Sequence, residues 1–63
     1  MPNLVPMNVL PVTVDLGSSL GRVPGVAIYG HRHPLRGWRY LVRFRLGGYL
    51  FRWWFPAAHV QRR

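Results

Sequence analysis

The sequence contains no cysteine, no lysine and only one acidic residue, Asp15. Without cysteine, neither a disulfide framework nor a thiolate metal centre holds the fold together. A single carboxylate leaves no pair for general acid–base catalysis, and no nucleophile motif or phosphate-cradling loop is present. A chain of 63 residues buries only about 60% of the surface that its unfolded state exposes. We therefore expect a small non-enzymatic module without a catalytic site, a cofactor or a metal.

Long apolar runs are also missing. No stretch approaches the roughly 20 apolar residues of a membrane helix. Pro2, Pro6 and Pro11 interrupt the apolar N-terminal segment, and no basic residue precedes it as a secretory signal requires. With 49% hydrophobic residues the chain is also too apolar for a disordered tail. We expect a protein that is cytoplasmic or packaged in a particle, not secreted and not membrane-spanning.

Charge and aromatic residues are absent from the first third of the chain, apart from Asp15. All nine arginines lie from Arg22 onward, and all nine aromatic residues lie from Tyr29 onward. The nine arginines give residues 22–63 a charge of +9, and Asp15 gives residues 1–21 a charge of −1, which together make the net charge of +8. This asymmetry predicts two regions, an apolar, proline-broken N-terminal arm at residues 1–21 and a basic, aromatic body at residues 22–63.

The strongest structural signal is a β-hairpin at residues 38–55. Residues 38–46 alternate between apolar or aromatic side chains and mostly arginine side chains, which is typical of a half-buried strand. Gly47 and Gly48 suit a two-residue type I′ turn, because both positions of that turn need a positive φ. Residues 49–55 then form the return strand.

A two-residue turn sets the register of the two strands. It pairs Leu46 with Tyr49, Phe44 with Phe51, Val42 with Trp53, Tyr40 with Phe55, Arg45 with Leu50, Arg43 with Arg52 and Leu41 with Trp54. We expect the aromatic face to be the core, with Trp53 buried and Trp54 on the surface. The opposed Arg43–Arg52 pair is unfavourable in isolation, so solvent, stacking on Trp54 or a bound anion must relieve it.

Weaker signals describe the rest of the chain. Residues 9–16 predict an edge strand or an extended arm, because Pro11 lacks a backbone donor. Residues 25–30 predict a short buried strand, and residues 31–37 a polar loop. Residues 56–59 suit one 3₁₀ turn, after which Val60 begins a last short strand. The predicted fold is all-β, with about five short strands and one 3₁₀ turn after an extended N-terminal arm.

This order of elements resembles the small SH3-like β-barrel. The segment Trp54-Phe55-Pro56-Ala57-Ala58-His59-Val60 is similar to the closing segment of such barrels. The segment Trp38-Arg39-Tyr40-Leu41-Val42-Arg43-Phe44 resembles the central strand of several bacterial and phage-borne barrels. The resemblance covers residues 22–61 and is one of fold, which does not imply function.

Three branches of that superfold differ in what they imply. Signalling SH3 domains bind proline-rich peptides beside acidic loops, which this chain lacks. Type II dihydrofolate reductases are homo-tetramers that use a Val-Gln-Ile-Tyr stretch before the closing proline, where this chain has Trp53-Trp54-Phe55. The third branch binds nucleic acid or docks as a small subunit on a large assembly. We expect the third branch, and a reductase-like homo-tetramer remains a minor alternative.

The basic residues are the main candidates for binding nucleic acid, DNA or RNA. Arginine pairs bidentately with phosphate oxygens, and an aromatic side chain offers a stacking platform for bases. The candidate nucleic-acid-binding residues are Arg39, Arg43, Arg45, Arg52, Trp54, Arg62 and Arg63. Such binding would be weakly sequence-selective, because phosphate contacts do not read bases. In the alternative interpretation the arginines only solvate an outer sheet face and the arm covers Trp54.

The apolar arm is the candidate for docking on protein. An exposed apolar segment favours association, and an extended one can add a strand to a partner. The candidate docking residues are Val5, Val9, Leu10, Val12 and Val14. They support a second function, that of an accessory or structural subunit of a larger assembly, with the arginines facing an acidic protein surface. Two other arrangements stay open, self-association and an arm that folds back over its own barrel.

Overall fold

The computed structural model describes residues 4–63, so residues 1–3 of the predicted arm lie outside the described residues. The elements along the chain are β1 (Val5–Asp15), β2 (Arg22–His33), β3 (Gly37–Leu46), β4 (Tyr49–Pro56), the 3₁₀ helix η1 (Ala57–His59) and β5 (Val60–Arg62). The fold is all-β, as the sequence predicts. The described part of the chain contains no helix with the length and apolarity of a membrane span.

The strands form one antiparallel sheet in the order β4-β3-β2-β1-β5. The buried side chains are Val12, Val14, Ala27, Val42, Phe44 and Phe55, and they form one cluster. Val14 is 0% exposed although the described residues form no second layer. A single sheet achieves such burial only by curving around its own inner face. The architecture is therefore compatible with a small β-barrel.

The predicted hairpin is confirmed in every pair. Strands β3 and β4 pair from Leu46–Tyr49 at the turn to Tyr40–Phe55 and beyond, in the register that the alternation predicts. Gly47 and Gly48 have φ values of 59° and 83°, both positive as a type I′ turn requires. The predicted closing segment is also confirmed, since η1 spans Ala57–His59 and Val60 begins β5.

The residues expected to form an arm or an edge strand instead lie inside the sheet. Strand β1 pairs with β2 on one side and with β5 on the other. Pro11 lies at the end of the pairing between β1 and β5. Its carbonyl accepts the last hydrogen bond of that pairing, from the N–H of Arg63 at 3.1 Å. In antiparallel strands the N–H and C=O of one residue point to the same side. The missing donor of Pro11 therefore costs one bond at the end of the β1–β5 ladder.

Strand β2 is longer than predicted. The sequence predicts a strand at residues 25–30 and a polar loop at residues 31–37, whereas β2 continues to His33 and only residues 34–36 form the turn. A register shift between Ala27 and Tyr29 places a bulge at Ile28. A bulge adds one residue to a strand, so the side chains beyond it point to the opposite faces from those that strict alternation predicts. The alternation therefore does not show that the strand continues past the bulge.

Candidate nucleic-acid interface

The hairpin presents its arginines on the outer face of the sheet. Because side chains alternate along a strand, the inward positions of Val42 and Phe44 direct Arg43 and its second neighbours outward. We define the basic face as the outward side chains of β3 and β4, which are Arg39, Leu41, Arg43, Arg45, Leu50, Arg52 and Trp54. Arg43, Arg45 and Arg52 are exposed, and Arg39 is half-buried.

The centre of the basic face is the directly opposed pair Arg43 and Arg52. In a two-residue hairpin the pair flanking the turn, Leu46–Tyr49, is hydrogen-bonded, and pairs alternate from there. Arg43–Arg52 is then a non-hydrogen-bonded pair, in which the Cα atoms lie about 4.5 Å apart and the side chains are closest. The sheet thus places two arginines as directly opposed neighbours across the strand pair, an arrangement that is unfavourable for like charges.

No acidic side chain of the chain is available to neutralise this pair. The only acid, Asp15, lies at the end of β1, opposite Arg22 of β2. Its Oδ1 accepts a hydrogen bond of 2.9 Å from the N–H of Gly17 and so holds the turn after β1. The basic face therefore carries positive charge only, whereas a merely solvated face normally mixes both signs.

Two grooves flank the central pair. One has a volume of about 530 Å³ and brings Arg43, Arg45 and Arg63 to its walls. The other, also about 530 Å³, has Arg39, Arg52 and Trp54 among its lining side chains. Each groove thus combines two or three guanidinium groups with apolar wall, and the second includes an indole ring. A groove with cationic rims and an aromatic platform matches the requirements of a single-stranded nucleic acid.

Trp54 was expected on the surface and is half-buried. It also lines a third groove of about 310 Å³ with Leu4, His31 and Arg39. Leu4 belongs to the predicted arm, so the arm reaches Trp54 as the alternative interpretation proposed, but it leaves part of the ring open to two grooves.

The prediction for Trp53 is wrong. It was expected in the core opposite Val42, but its side chain is 68% exposed. Strand β4 is an edge of the sheet, and the curvature that buries Phe55 does not enclose the residues nearer the turn. Trp53 also lines the groove that contains Arg52 and Trp54, a position that the alternation does not predict.

The two terminal arginines separate. Arg63 lines the groove that contains Arg43 and Arg45. Arg62 pairs with the buried residue Val12 and lines a different pocket of about 190 Å³ on the inner face, beside Tyr40. Of these two candidate residues, only Arg63 is therefore brought to the basic face.

Sequence reasoning missed two further residues of the outer face, His31 and Tyr29. His31 pairs with Arg39 and lines the groove with Trp54, while Tyr29 pairs with Leu41. Both lie in β2 beyond the bulge, where the alternation is reversed. The sequence does contain one signal for them. The segment His31-Arg32-His33 has alternating side-chain types, which is compatible with a strand that continues to residue 33.

The histidines have no arrangement for a metal in the described residues, where no group of three potential ligands comes together. His33 instead has a structural role. Its Nδ1 accepts hydrogen bonds of 3.1 Å from the backbone N–H groups of Leu35 and Arg36. These bonds hold the β2–β3 turn.

The five candidate docking residues of the arm do not share one environment. Val12 and Val14 are buried in the core, so they are not available to a partner. Leu10 is partly buried against the same cluster. Val5 and Val9 are exposed. The apolar character of β1 is therefore explained mainly by the protein's own core.

No protein-family model matches this chain, and neither a curated protein nor a solved structure is significantly similar to it. The interpretation of the site therefore depends on its geometry and charge.

Proposed function

We propose that this protein is a non-enzymatic, nucleic-acid-binding small barrel of the SH3-like kind, acting in the cytoplasm or in a packaged particle. The strand order, the tight β3–β4 hairpin and the 3₁₀ turn between the last two strands support the SH3-like assignment. The observation that carries the function is the directly opposed Arg43–Arg52 pair, on an outer face that no acidic side chain neutralises.

A phosphate backbone resolves the electrostatic problem of this face. A guanidinium group donates two parallel hydrogen bonds to phosphate oxygens, and successive phosphates supply one anion for each cation. Arg39, Arg43, Arg45 and Arg52 then contact the backbone, and Arg63 extends the track along the first groove. Trp54 offers a ring to one base of a single strand. Such contacts give affinity with little sequence selectivity.

The experiment is a titration of the protein with DNA and RNA oligonucleotides, single-stranded and duplex, at a series of salt concentrations. Release of counterions from five phosphate contacts gives a slope of log K against log salt of about −3.5 to −4.5. Binding with that slope and little dependence on base sequence supports the proposal. Absence of binding at low salt, or a salt-insensitive signal, overturns it.

One observation favours a second function, that of an accessory subunit on a larger assembly. Exposed aromatic side chains are enriched at interface hot spots, and Tyr49, Phe51 and Trp53 are all exposed on β4. The docking surface would then be this strand and not the arm, whose Val12 and Val14 are core residues. A stable complex with an acidic protein, with no affinity for nucleic acid at low salt, distinguishes this function from the first.

A further inference from the structure

The inner face of β4 carries three large aromatic side chains that the protein covers only in part. Tyr49 is 73% exposed, Phe51 44% and Trp53 68%. We call these three residues the aromatic edge. They alternate along one strand, so they point to the same side of the sheet. Phe51 stacks on the buried ring of Phe44 with ring centroids 5.8 Å apart, so the aromatic edge continues the core outward.

The backbone beside the aromatic edge is free to pair with another strand. Strand β4 is at the end of the sheet, with β3 as its only neighbour in the sheet that the described residues form. Counting from the hydrogen-bonded pair at the turn, odd-numbered residues of β4 direct their N–H and C=O groups to β3. The N–H and C=O groups of Leu50, Arg52 and Trp54 therefore point away from the sheet. An exposed strand edge of this kind is a template for another strand.

We propose that a second copy of this chain occupies this edge, through antiparallel pairing of β4 with β4 about a two-fold axis at Phe51. A two-fold interface requires a patch that is complementary to itself. The aromatic edge meets this requirement, because Tyr49 and Trp53 lie at equal distances from Phe51 along the strand. In the dimer Phe51 faces its counterpart, and each Tyr49 faces the other copy's Trp53.

Charge disfavours the neighbouring register that has its axis at Arg52. A two-fold axis at Arg52 would place Arg52 opposite itself beside the existing Arg43–Arg52 pair, and like charges directly opposite are unfavourable. An axis at Phe51 places Arg52 opposite the uncharged side chain of Leu50. The same register pairs the outward backbone groups of Leu50 with those of Arg52 in the other copy.

The area is sufficient for a stable pair. An aromatic side chain buries about 150–250 Å² when fully covered. At the exposures of the aromatic edge, complete coverage of these side chains in both copies removes at most roughly 600–900 Å² of aromatic surface from water. The paired backbone and Leu50 add to this, which reaches the roughly 1,000 Å² expected of a biological interface. A second copy therefore accounts for all three exposed rings at once.

The first test measures the molecular mass of the full chain by sedimentation equilibrium over a range of concentrations. We expect a monomer–dimer equilibrium. Trp53→Ser, at an exposed position, should leave the circular dichroism spectrum of the fold unchanged and raise the dimer dissociation constant at least about 30-fold. Leu35→Ser is the matched control, because Leu35 is 92% exposed in a turn away from β4, and it should leave the constant unchanged.

The second test determines the register and exploits the absence of cysteine. In the proposed dimer the two copies of residue 51 form a non-hydrogen-bonded pair with Cα atoms about 4.5 Å apart, within disulfide range. Phe51→Cys should therefore give a covalent dimer under mild oxidation. Trp53→Cys should not, because its two copies lie four residues out of register, more than about 7 Å apart.

Each result decides the proposal. A concentration-dependent dimer together with crosslinking of Phe51→Cys and not of Trp53→Cys supports it. A chain that stays monomeric at high concentration overturns it and leaves the aromatic edge to a foreign partner. Crosslinking only through position 53, or equal weakening by Trp53→Ser and Leu35→Ser, also overturns it. None of these readouts uses nucleic acid, so this proposal and the proposed function fail independently.

Discussion

Arg43 and Arg52 stand directly opposite each other on β3 and β4, while the only acidic side chain of the chain holds a turn at the end of β1. A cross-strand pair of like charges reduces the stability of the sheet that displays it. The arrangement is therefore unfavourable for the free protein and favourable for a complex with a polyanion. Stability and binding should respond to it in opposite directions, which makes the pair open to a direct test.

Replacing Arg52 by Glu should stabilise the fold and weaken the binding of nucleic acid. The substitution turns a like-charge pair into an opposite-charge pair, and cross-strand pairs contribute about 0.2–1 kcal/mol. Thermal unfolding should therefore occur at a higher temperature. The same change removes one phosphate contact and adds a repulsive charge, so affinity at low salt should fall at least about tenfold and the salt slope should lose about one unit.

Arg36→Glu is the control for this charge reversal. Arg36 lies in the turn at residues 34–36 and lines none of the grooves of the basic face. The control changes the net charge equally, so it separates general attraction from contact at the basic face. Equal loss of affinity in Arg36→Glu and Arg52→Glu would contradict the proposed site.

Replacing Trp54 by Ala should weaken the binding of single strands more than that of duplexes. Trp54 lines two grooves together with Arg39, and a base can stack on it only if that base is unpaired. Loss of one stacking platform costs about 1–3 kcal/mol, a factor of about 5 to 150 in affinity. Trp54→Phe keeps a ring and should retain most of the affinity. An equal effect of Trp54→Ala on both kinds of nucleic acid would show that the ring only supports the sheet.

The hairpin was predictable because its local signals agree with each other. Alternation specifies which side chains share a face, and the two-residue glycine turn leaves only one register. The opposition of Arg43 and Arg52 is a direct consequence of that register. The arrangement of the candidate site was therefore predictable from the sequence to the extent that the site lies on a single hairpin.

The remaining features depend on contacts between segments that are distant in the sequence. Trp53 lies on the inner face, as alternation predicts. Its exposure depends on how far the sheet curves, and a local sequence pattern carries no information about that. The burial of Val12 and Val14 depends on β5 arriving from the far end of the chain to pair with β1. The bulge at Ile28 similarly concealed His31 as a residue of the outer face.

Replacing Gly25 by Ala should destabilise the fold through overpacking. A Cβ atom at position 25 would lie 2.8 Å from the backbone oxygen of Arg43 and 2.9 Å from Cγ1 of Val42. The oxygen belongs to β3, which pairs with a strand on each side, and it cannot move without disturbing the sheet. We therefore expect a loss of about 1–3 kcal/mol in the free energy of unfolding. Chemical denaturation measures this loss.

Gly30→Ala is the graded comparison. At position 30 the nearest atoms to a new Cβ are side-chain atoms of Trp38, Tyr40 and Met7, at 3.2 to 3.4 Å. Side chains can shift by a few tenths of an ångström where a strand backbone cannot. Gly30→Ala should therefore cost less than Gly25→Ala, and the reverse order would show that strands β2 and β3 do not approach as closely as the structure shows.

Replacing Val9 by Gly should stabilise the protein, although glycine normally weakens a strand. Val9 has a φ of 58°, in the left-handed region that β-branched side chains strongly avoid, and it lies where the β1–β2 register shifts between Pro6 and Leu10. Relief of such strain is worth about 1–3 kcal/mol, while the greater freedom of glycine in the unfolded state costs about 0.5–1 kcal/mol. We expect a net gain of about 1 kcal/mol in the free energy of unfolding.

Val5→Gly is the control for this gain. Val5 is exposed on the same strand and pairs regularly with Gly30, so glycine relieves no strain there and only adds freedom to the unfolded state. Val5→Gly should therefore lose stability. Equal losses in the two variants would show that β1 passes position 9 without strain.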